Sequence, residues 1–297
     1  MPSKPIRTAN VIVSEQLKNN ATALENAMNA HVLTWWGPIQ PPVERYIRQA
    51  VEHRIRLGPK RRRLAMVLQT PGGYIETAER IANTLRNHYS WVAFLIPDMA
   101  MSAGTVLVMS GDEIWMTYFS ILGPIDPQVE RHDGRGLVPA LGYLEKYEEM
   151  VDKSRKNTLT AAEGAYFVKN FDAAELFSYA QAKKQSIELL KKWLVQYKFK
   201  NWKRTKTRGI PVTPKMRRDR AEDIGMKLSD TKKWYSHSRG IPMEVLKRDL
   251  KLDIKDIEKD PKVRDTLENY WELLINYLET IGARGGLHTA DLLIPLA

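Results

Sequence analysis

Cysteine is absent from this chain of 297 residues. That excludes disulfide staples, a cysteine nucleophile and thiolate metal sites, and it fits a reducing compartment. Long apolar runs are missing too: the longest are strand-length, well short of the roughly 20 residues that cross a bilayer. No apolar segment follows Met1-Pro2-Ser3-Lys4-Pro5-Ile6-Arg7, so no secretory leader is expected there and the chain reads as cytoplasmic. Histidine is scarce, and His31, His53, His88 and His288 show no pairing at metal-ligand spacing, so no metal site is expected. Gly134-Arg135-Gly136 and Gly282-Ala283-Arg284-Gly285-Gly286 are too short and misplaced for a dinucleotide fingerprint, and no P-loop is present. The expectation is a protein without a cofactor.

The chain does have enough apolar side chains, 43% of residues, to bury a core. Its length suits one large domain, or one domain with an appendage. Residues 14–30 have a helical spacing of Leu17, Ala21, Leu24, Ala27 and Met28, and Val32–Trp36 reads as a strand. Pro41-Pro42 opens a helix through about Ile55. The centre then alternates: strand 64–69, helix 74–88, strand 91–97, helix 102–110, strand 113–117. Continuous apolar strands separated by helices predict a mainly parallel α/β sheet covered on both faces. Glu130 to Gly136 reads as a charged loop, followed by helical patterns at 138–156 and 172–197. The expected division is a catalytic domain over 1–200 and a basic, mostly helical region over 201–297.

Two turns stand out in that alternation. Gln69-Thr70-Pro71-Gly72-Gly73 ends one apolar strand and opens a helix, and Met99-Ala100-Met101-Ser102-Ala103-Gly104-Thr105 does the same after the next. Unpaired N–H groups at such strand-to-helix turns can face a developing anion. Paired glycines allow close approach of the backbone, and a serine among small residues at a helix head is a way to present a nucleophile. Ser102 is therefore the candidate nucleophile. The backbone N–H groups of Gly73, Gly72 and Ala103 are the candidate oxyanion donors.

The order TPGG, helix, strand, MSAGT, strand, then Leu122-Gly123-Pro124-Ile125-Asp126-Pro127-Gln128 resembles the Clp protease/crotonase superfamily. Within it the chain most resembles the serine dehydrogenase proteinase family, relatives of signal peptide peptidase A. The likeness runs from Val32–Ile39 to Trp234-Tyr235-Ser236-His237-Ser238-Arg239-Gly240-Ile241. It implies a spiral of strand-strand-helix units, a serine peptidase acting on polypeptide, and assembly with copies of the same chain. The helix at 172–197, with Leu176, Tyr179, Ala180, Ile187, Leu190 and Leu194, is expected to serve that assembly.

The resemblance leaves the general base open. Clp-type peptidases carry a histidine on the strand-loop that here reads Gly123-Pro124-Ile125-Asp126-Pro127, where Asp126 stands instead. Asp126 is expected to shape a loop, and His132 and His237 read more readily as surface or packed residues. The signal peptide peptidase branch uses a Ser–Lys pair with the lysine farther along. Lys146 and Lys153 fall in that window and share a helix face, with Lys156 just beyond. Lys153, followed by Ser154, fits the longer spacing and is the expected base, with Lys146 second; a lysine serves only if its pKa is lowered toward neutrality.

The net charge of +11 is concentrated in Lys198, Lys200, Lys203, Arg204, Lys206, Arg208, Lys215, Arg217, Arg218 and Arg220, with Tyr197, Phe199 and Trp202 at its start. Basic residues interleaved with aromatics suit nucleic acid, although a solvated linker or a surface docking an acidic neighbour is the plainer reading. Two rivals to a peptidase remain: a crotonase-like acyl-CoA hydratase or hydrolase using the same oxyanion turns, and a catalytically silent scaffold binding a partner or nucleic acid through residues 198–220.

Overall fold

The structure is a computed structural model that describes residues 8–125, 128–130, 137–205, 207–234 and 239–296. The first half runs α1 (Ala9–Met28), β1 (His31–Trp36), α2 (Val43–Leu57), β2 (Arg63–Gln69), α3 (Ile75–His88), β3 (Trp91–Ile96), β4 (Met99–Ala100), α4 (Ala103–Val108), β5 (Glu113–Met116) and β6 (Ile121–Leu122). There follow β7 (Gln128–Glu130), β8 (Leu137–Pro139), α5 (Ala140–Arg155), α6 (Ala161–Asn170) and α7 (Ala173–Trp193), which ends in a π-helical turn over Leu194–Lys198. The remainder is α8 (Pro214–Leu228), α9 (Thr231–Trp234), β9 (Ile241–Pro242), α10 (Met243–Asp249), β10 (Lys255–Asp256), α11 (Pro261–Thr280), β11 (Gly285–Thr289) and β12 (Leu292–Leu296).

One sheet organises these elements, in the order β10-β5-β3-β2-β1-β11-β12. Strands β1, β2, β3 and β5 are parallel neighbours, as the alternating pattern predicts. Their side chains alternate between two apolar layers: Leu64, Met66 and Leu68 of β2 and Phe94 of β3 face one, Ala65, Val67, Ala93 and Leu95 the other. Each fully buried Leu, Ile, Val or Phe contributes about 1.5–3 kcal/mol relative to exposure, so a strand buried on both faces needs apolar residues at every position. The first layer is closed by α2, α3, α4, α7 and α8, the second by α1 and α11. In α3, Ile75, Ala78, Ile81, Ala82 and Leu85 form the buried stripe, at the i, i+3, i+4 spacing of an amphipathic helix.

The expected boundary at residue 200 divides the chain in sequence only. Strands β10, β11 and β12 all lie beyond it and complete the main sheet, and α11 packs with α1 in the second layer. A buried ion cluster reinforces this closure: Arg54 of α2 pairs with Glu25 of α1 at 2.6 Å and with Asp291 between β11 and β12. Removing one member of such a cluster typically costs about 3–5 kcal/mol, because a charge is left buried without its partner. No described helix is long and apolar enough to cross a membrane.

Candidate active site

The two glycine- and serine-bearing turns, remote in sequence, are zipped together beyond the sheet. The Thr70 N–H donates to Met99 O and the Met101 N–H to Thr70 O, both at 3.0 Å, a parallel bridge between Thr70 and Ala100. A second bridge fixes the glycines: the Ile39 N–H donates to Gly72 O and the Tyr74 N–H to Ile39 O, both at 2.8 Å. Because the C=O and N–H of one trans peptide point in opposite directions, the Gly73 N–H points away from Ile39. The Gly72 N–H is turned inward instead, donating to Thr70 Oγ1 at 3.1 Å.

Ser102 sits at the head of α4 with φ +52° and ψ −118° and is 1% exposed. Such a backbone costs an ordinary residue of order 1–3 kcal/mol, and it is the kind of sharp turn that presents a nucleophile. Helix capping does not account for it, since the Ser102 side chain makes no capping bond to the first turn of α4. Thr105 anchors the turn from below: its Oγ1 lies 2.8 Å from Ala100 O and 2.9 Å from Gly123 O, and accepts the Gly123 N–H at 3.0 Å. Among the described residues, no hydrogen-bond acceptor meets the N–H groups of Gly73 and Ala103. Of the three expected oxyanion donors, Gly73 and Ala103 are thus available, and Gly72 is engaged by Thr70.

A shallow depression lies over this turn, lined by Gly73, Ile75, Ser102, Ala103, Val106, Ile125 and Ser186. Ser186 belongs to α7 and is buried, its hydroxyl donating to Ala182 O at 2.9 Å. No feature of the sequence marked it, because only tertiary packing brings α7 across the site. None of the described residues lining the depression is a lysine, histidine or carboxylate.

Lys153 stands elsewhere. It lines a groove of about 950 Å³ between α5, α7 and α8, with Lys146 on the same wall. There its Nζ contacts Glu163 at 2.7 Å and Glu149 at 3.1 Å. These carboxylates, Glu163 foremost, raise the Lys153 pKa above its ordinary value, the reverse of what a general base requires. Lys146 pairs with Glu149 at 3.0 Å. Ile187 of α7 lines this groove one residue from Ser186, so the two recesses share one helix. Asp126, His132 and His237 lie outside the described residues.

Much of the basic segment is turned onto the protein itself. Asp112, nearly buried at the start of β5, pairs with Lys200 and with Arg86 at 2.7 Å, and accepts the Val92 N–H at 2.8 Å. Burial opposes the charge of this carboxylate, but Lys200, Val92 and Arg86 outweigh it and hold the pKa below the usual range. Arg86 also stacks on Tyr197. Burial pushes the neighbouring Lys198 ammonium down to about 8. Arg217 donates to Trp202 O at 2.9 Å, and Arg220 to Leu250 O and Asp223. Lys206 lies outside the described residues. The side chains expected to drive assembly are likewise partly consumed: Tyr179, Leu190 and Leu194 are buried within the chain.

The family model described as ClpP-like SDH-type serine proteinase matches residues 38–208, which contain both turns. Two uncharacterized proteins of Methanocaldococcus jannaschii are similar to the chain. MJ1495 is 35% identical over 105 residues, covering 35% of the chain and 34% of that protein. MJ0137 is 32% identical over 109 residues, covering 37% and 36%. The chain thus spans about a third of the length of these curated relatives. Among solved structures, a ClpP1 mutant from Listeria monocytogenes aligns at 10% identity and a TM-score of 0.29, over 33% of the chain and 57% of that protein.

Proposed function

The chain belongs to the ClpP-like SDH-type serine proteinase family, and from that premise we propose that it hydrolyses peptide bonds with Ser102 as nucleophile. The observation that carries this reading is Ser102 itself, held at φ +52° beside two unengaged backbone N–H groups, Gly73 and Ala103. The Ser102 hydroxyl attacks the carbonyl carbon of the substrate and its proton passes to a base. The oxygen, now negative, is received by the Gly73 and Ala103 N–H groups, each such donor contributing about 3 kcal/mol to the transition state. Collapse expels the amine with a proton and leaves an ester on Ser102, which water then hydrolyses.

Lys153 is the proposed base, acting after it leaves Glu163 and Glu149. In the paired arrangement its pKa is raised, so it is protonated at neutral pH and unable to accept the serine proton. Release from both carboxylates and burial beside Ser102 would lower it, since desolvation disfavours an ammonium. Ile187 of the groove and Ser186 of the depression are neighbours on α7, which supports this reading. Assembly with copies of the chain, also proposed, would use Tyr166, Val168 and Phe177, which remain exposed on α6 and α7.

A fluorophosphonate probe tests the nucleophile. The wild-type chain is expected to be labelled, and Ser102→Ala to lose both labelling and peptide turnover while melting at the same temperature. Labelling that persists in Ser102→Ala defeats the assignment.

A further inference from the structure

A second recess lies on the outer surface between α2 and α3, with a volume of about 480 Å³. Arg45, Arg48 and Gln49 of α2 line it on one side, Arg80 and Asn83 of α3 on the other, and Glu44 forms part of its lining. Three of its described lining residues are arginines, and none is aromatic or aliphatic. Glu44 is 5% exposed. One of its oxygens, Oε1, meets Arg80 Nη1 at 3.1 Å, while Oε2 is buried and has no hydrogen-bond partner. A buried carboxylate oxygen is normally satisfied, so an orphaned one beside a polar recess marks a place for a donor.

Arg48 is engaged only loosely, by exposed Glu52 at 3.9 Å, a contact of little energetic weight. Arg45 is exposed and makes no ion pair among the described residues. Guanidinium groups present planar forks of donors that match phosphate oxygens, and they do so better than an ammonium. The recess therefore offers two complementary features side by side: cationic forks for an anion and a buried acceptor for a hydroxyl. The described lining has no aromatic ring to sandwich a nucleobase.

We propose that the groove between α2 and α3 binds a small hydroxylated phosphomonoester of the sugar-phosphate class, the phosphate held by Arg45, Arg48 and Arg80 and a hydroxyl donated to Glu44 Oε2. The site is separate from Ser102 and does not depend on the peptidase reading. Glu44 supplies the discrimination: it repels a bare anion and rewards one that carries a hydroxyl at the right reach. Binding is electrostatic in part and weakens with added salt.

Isothermal titration of the Ser102→Ala chain with glucose 6-phosphate, inorganic phosphate and glucose tests this at low ionic strength. Glucose 6-phosphate is expected to bind at least about tenfold more tightly than phosphate, a difference one good hydrogen bond to a charged group supplies. Glucose alone is expected to give no heat. The exposed double variant Arg45→Gln/Arg48→Gln should lose about tenfold or more in affinity for both anions. In Glu44→Gln, phosphate should bind more tightly while the preference for glucose 6-phosphate collapses. Absence of glucose 6-phosphate binding, or unchanged affinity in the arginine variant, overturns the proposal, as does an unchanged preference in Glu44→Gln. If Glu44→Gln does not fold, the arginine variant decides alone.

Discussion

Gly72 stands directly against Ser102: a Cβ placed on Gly72, whose φ is +101°, would lie 2.7 Å from the Ser102 Cβ. Gly73, at φ +147°, is pressed as closely onto the backbone of Ile39. The glycines are therefore required by the contact between the two turns as well as by their backbone angles.

That contact predicts how alanine would act. Gly72→Ala should displace Ser102 and Gly73→Ala should misplace an oxyanion donor, the latter costing about a hundredfold or more in turnover. Each should also lower stability by about 1–3 kcal/mol through backbone strain. Peptide turnover and thermal melts measured together separate the two effects. Normal turnover in Gly73→Ala would remove its N–H from the mechanism.

The ion pairs of Lys153 predict a shift in the pH–rate profile. Glu163→Gln keeps the capping box at the start of α6, since glutamine serves at that position as glutamate does. It removes the strongest influence raising the Lys153 pKa. The rising limb of turnover against pH should move to lower pH in this variant. Lys153→Ala should lose turnover, with Ser102→Ala/Lys153→Ala no worse than either single change. Full activity in Lys153→Ala would assign the base to another residue.

His288 predicts an acid limit to stability. Its ring is buried beneath Tyr270, whose Oη lies 2.7 Å from His288 Nδ1 and 2.6 Å from Thr34 Oγ1. Burial pushes the His288 pKa down to about 4 from 6.5. The unfolded chain takes up this proton below pH 6.5 and the folded chain does not until about pH 4. Stability from this group is thus complete above pH 6.5 and falls by on the order of 3 kcal/mol as pH drops to 4. Urea midpoints across that range should show the loss, and His288→Asn should flatten it. An equal slope in His288→Asn would place the effect on other groups.

Asp112 predicts the fate of the basic segment. With Arg86 and Lys200 both resting on it, Asp112→Ala leaves cations without their partner at a nearly buried position, at a cost of about 3–5 kcal/mol. Trypsin should then cut within residues 198–205 at a rate well above wild type. Nucleic-acid affinity of the intact chain should be weak and depend shallowly on salt, because several of the expected phosphate contacts are already spent internally. A steep salt dependence would restore that reading.

The sequence by itself determined the alternation of apolar strands and striped helices, and with it the parallel sheet, because period and continuity of apolar residues are local properties. The two turns were legible for the same reason: glycines and a serine at strand-to-helix junctions are local chemistry. What the sequence left open was decided by contacts between distant segments. Only the fold shows that Thr70 takes up the Gly72 N–H, that Ser186 lines the depression over Ser102, and that β11 and β12 return to pair beside β1. Lys153 was a candidate by spacing, yet its partners come from its own helix and from α6, and their charge sets its pKa. Spacing along a chain fixes which residues share a face; which charges meet that face depends on elements packed from elsewhere.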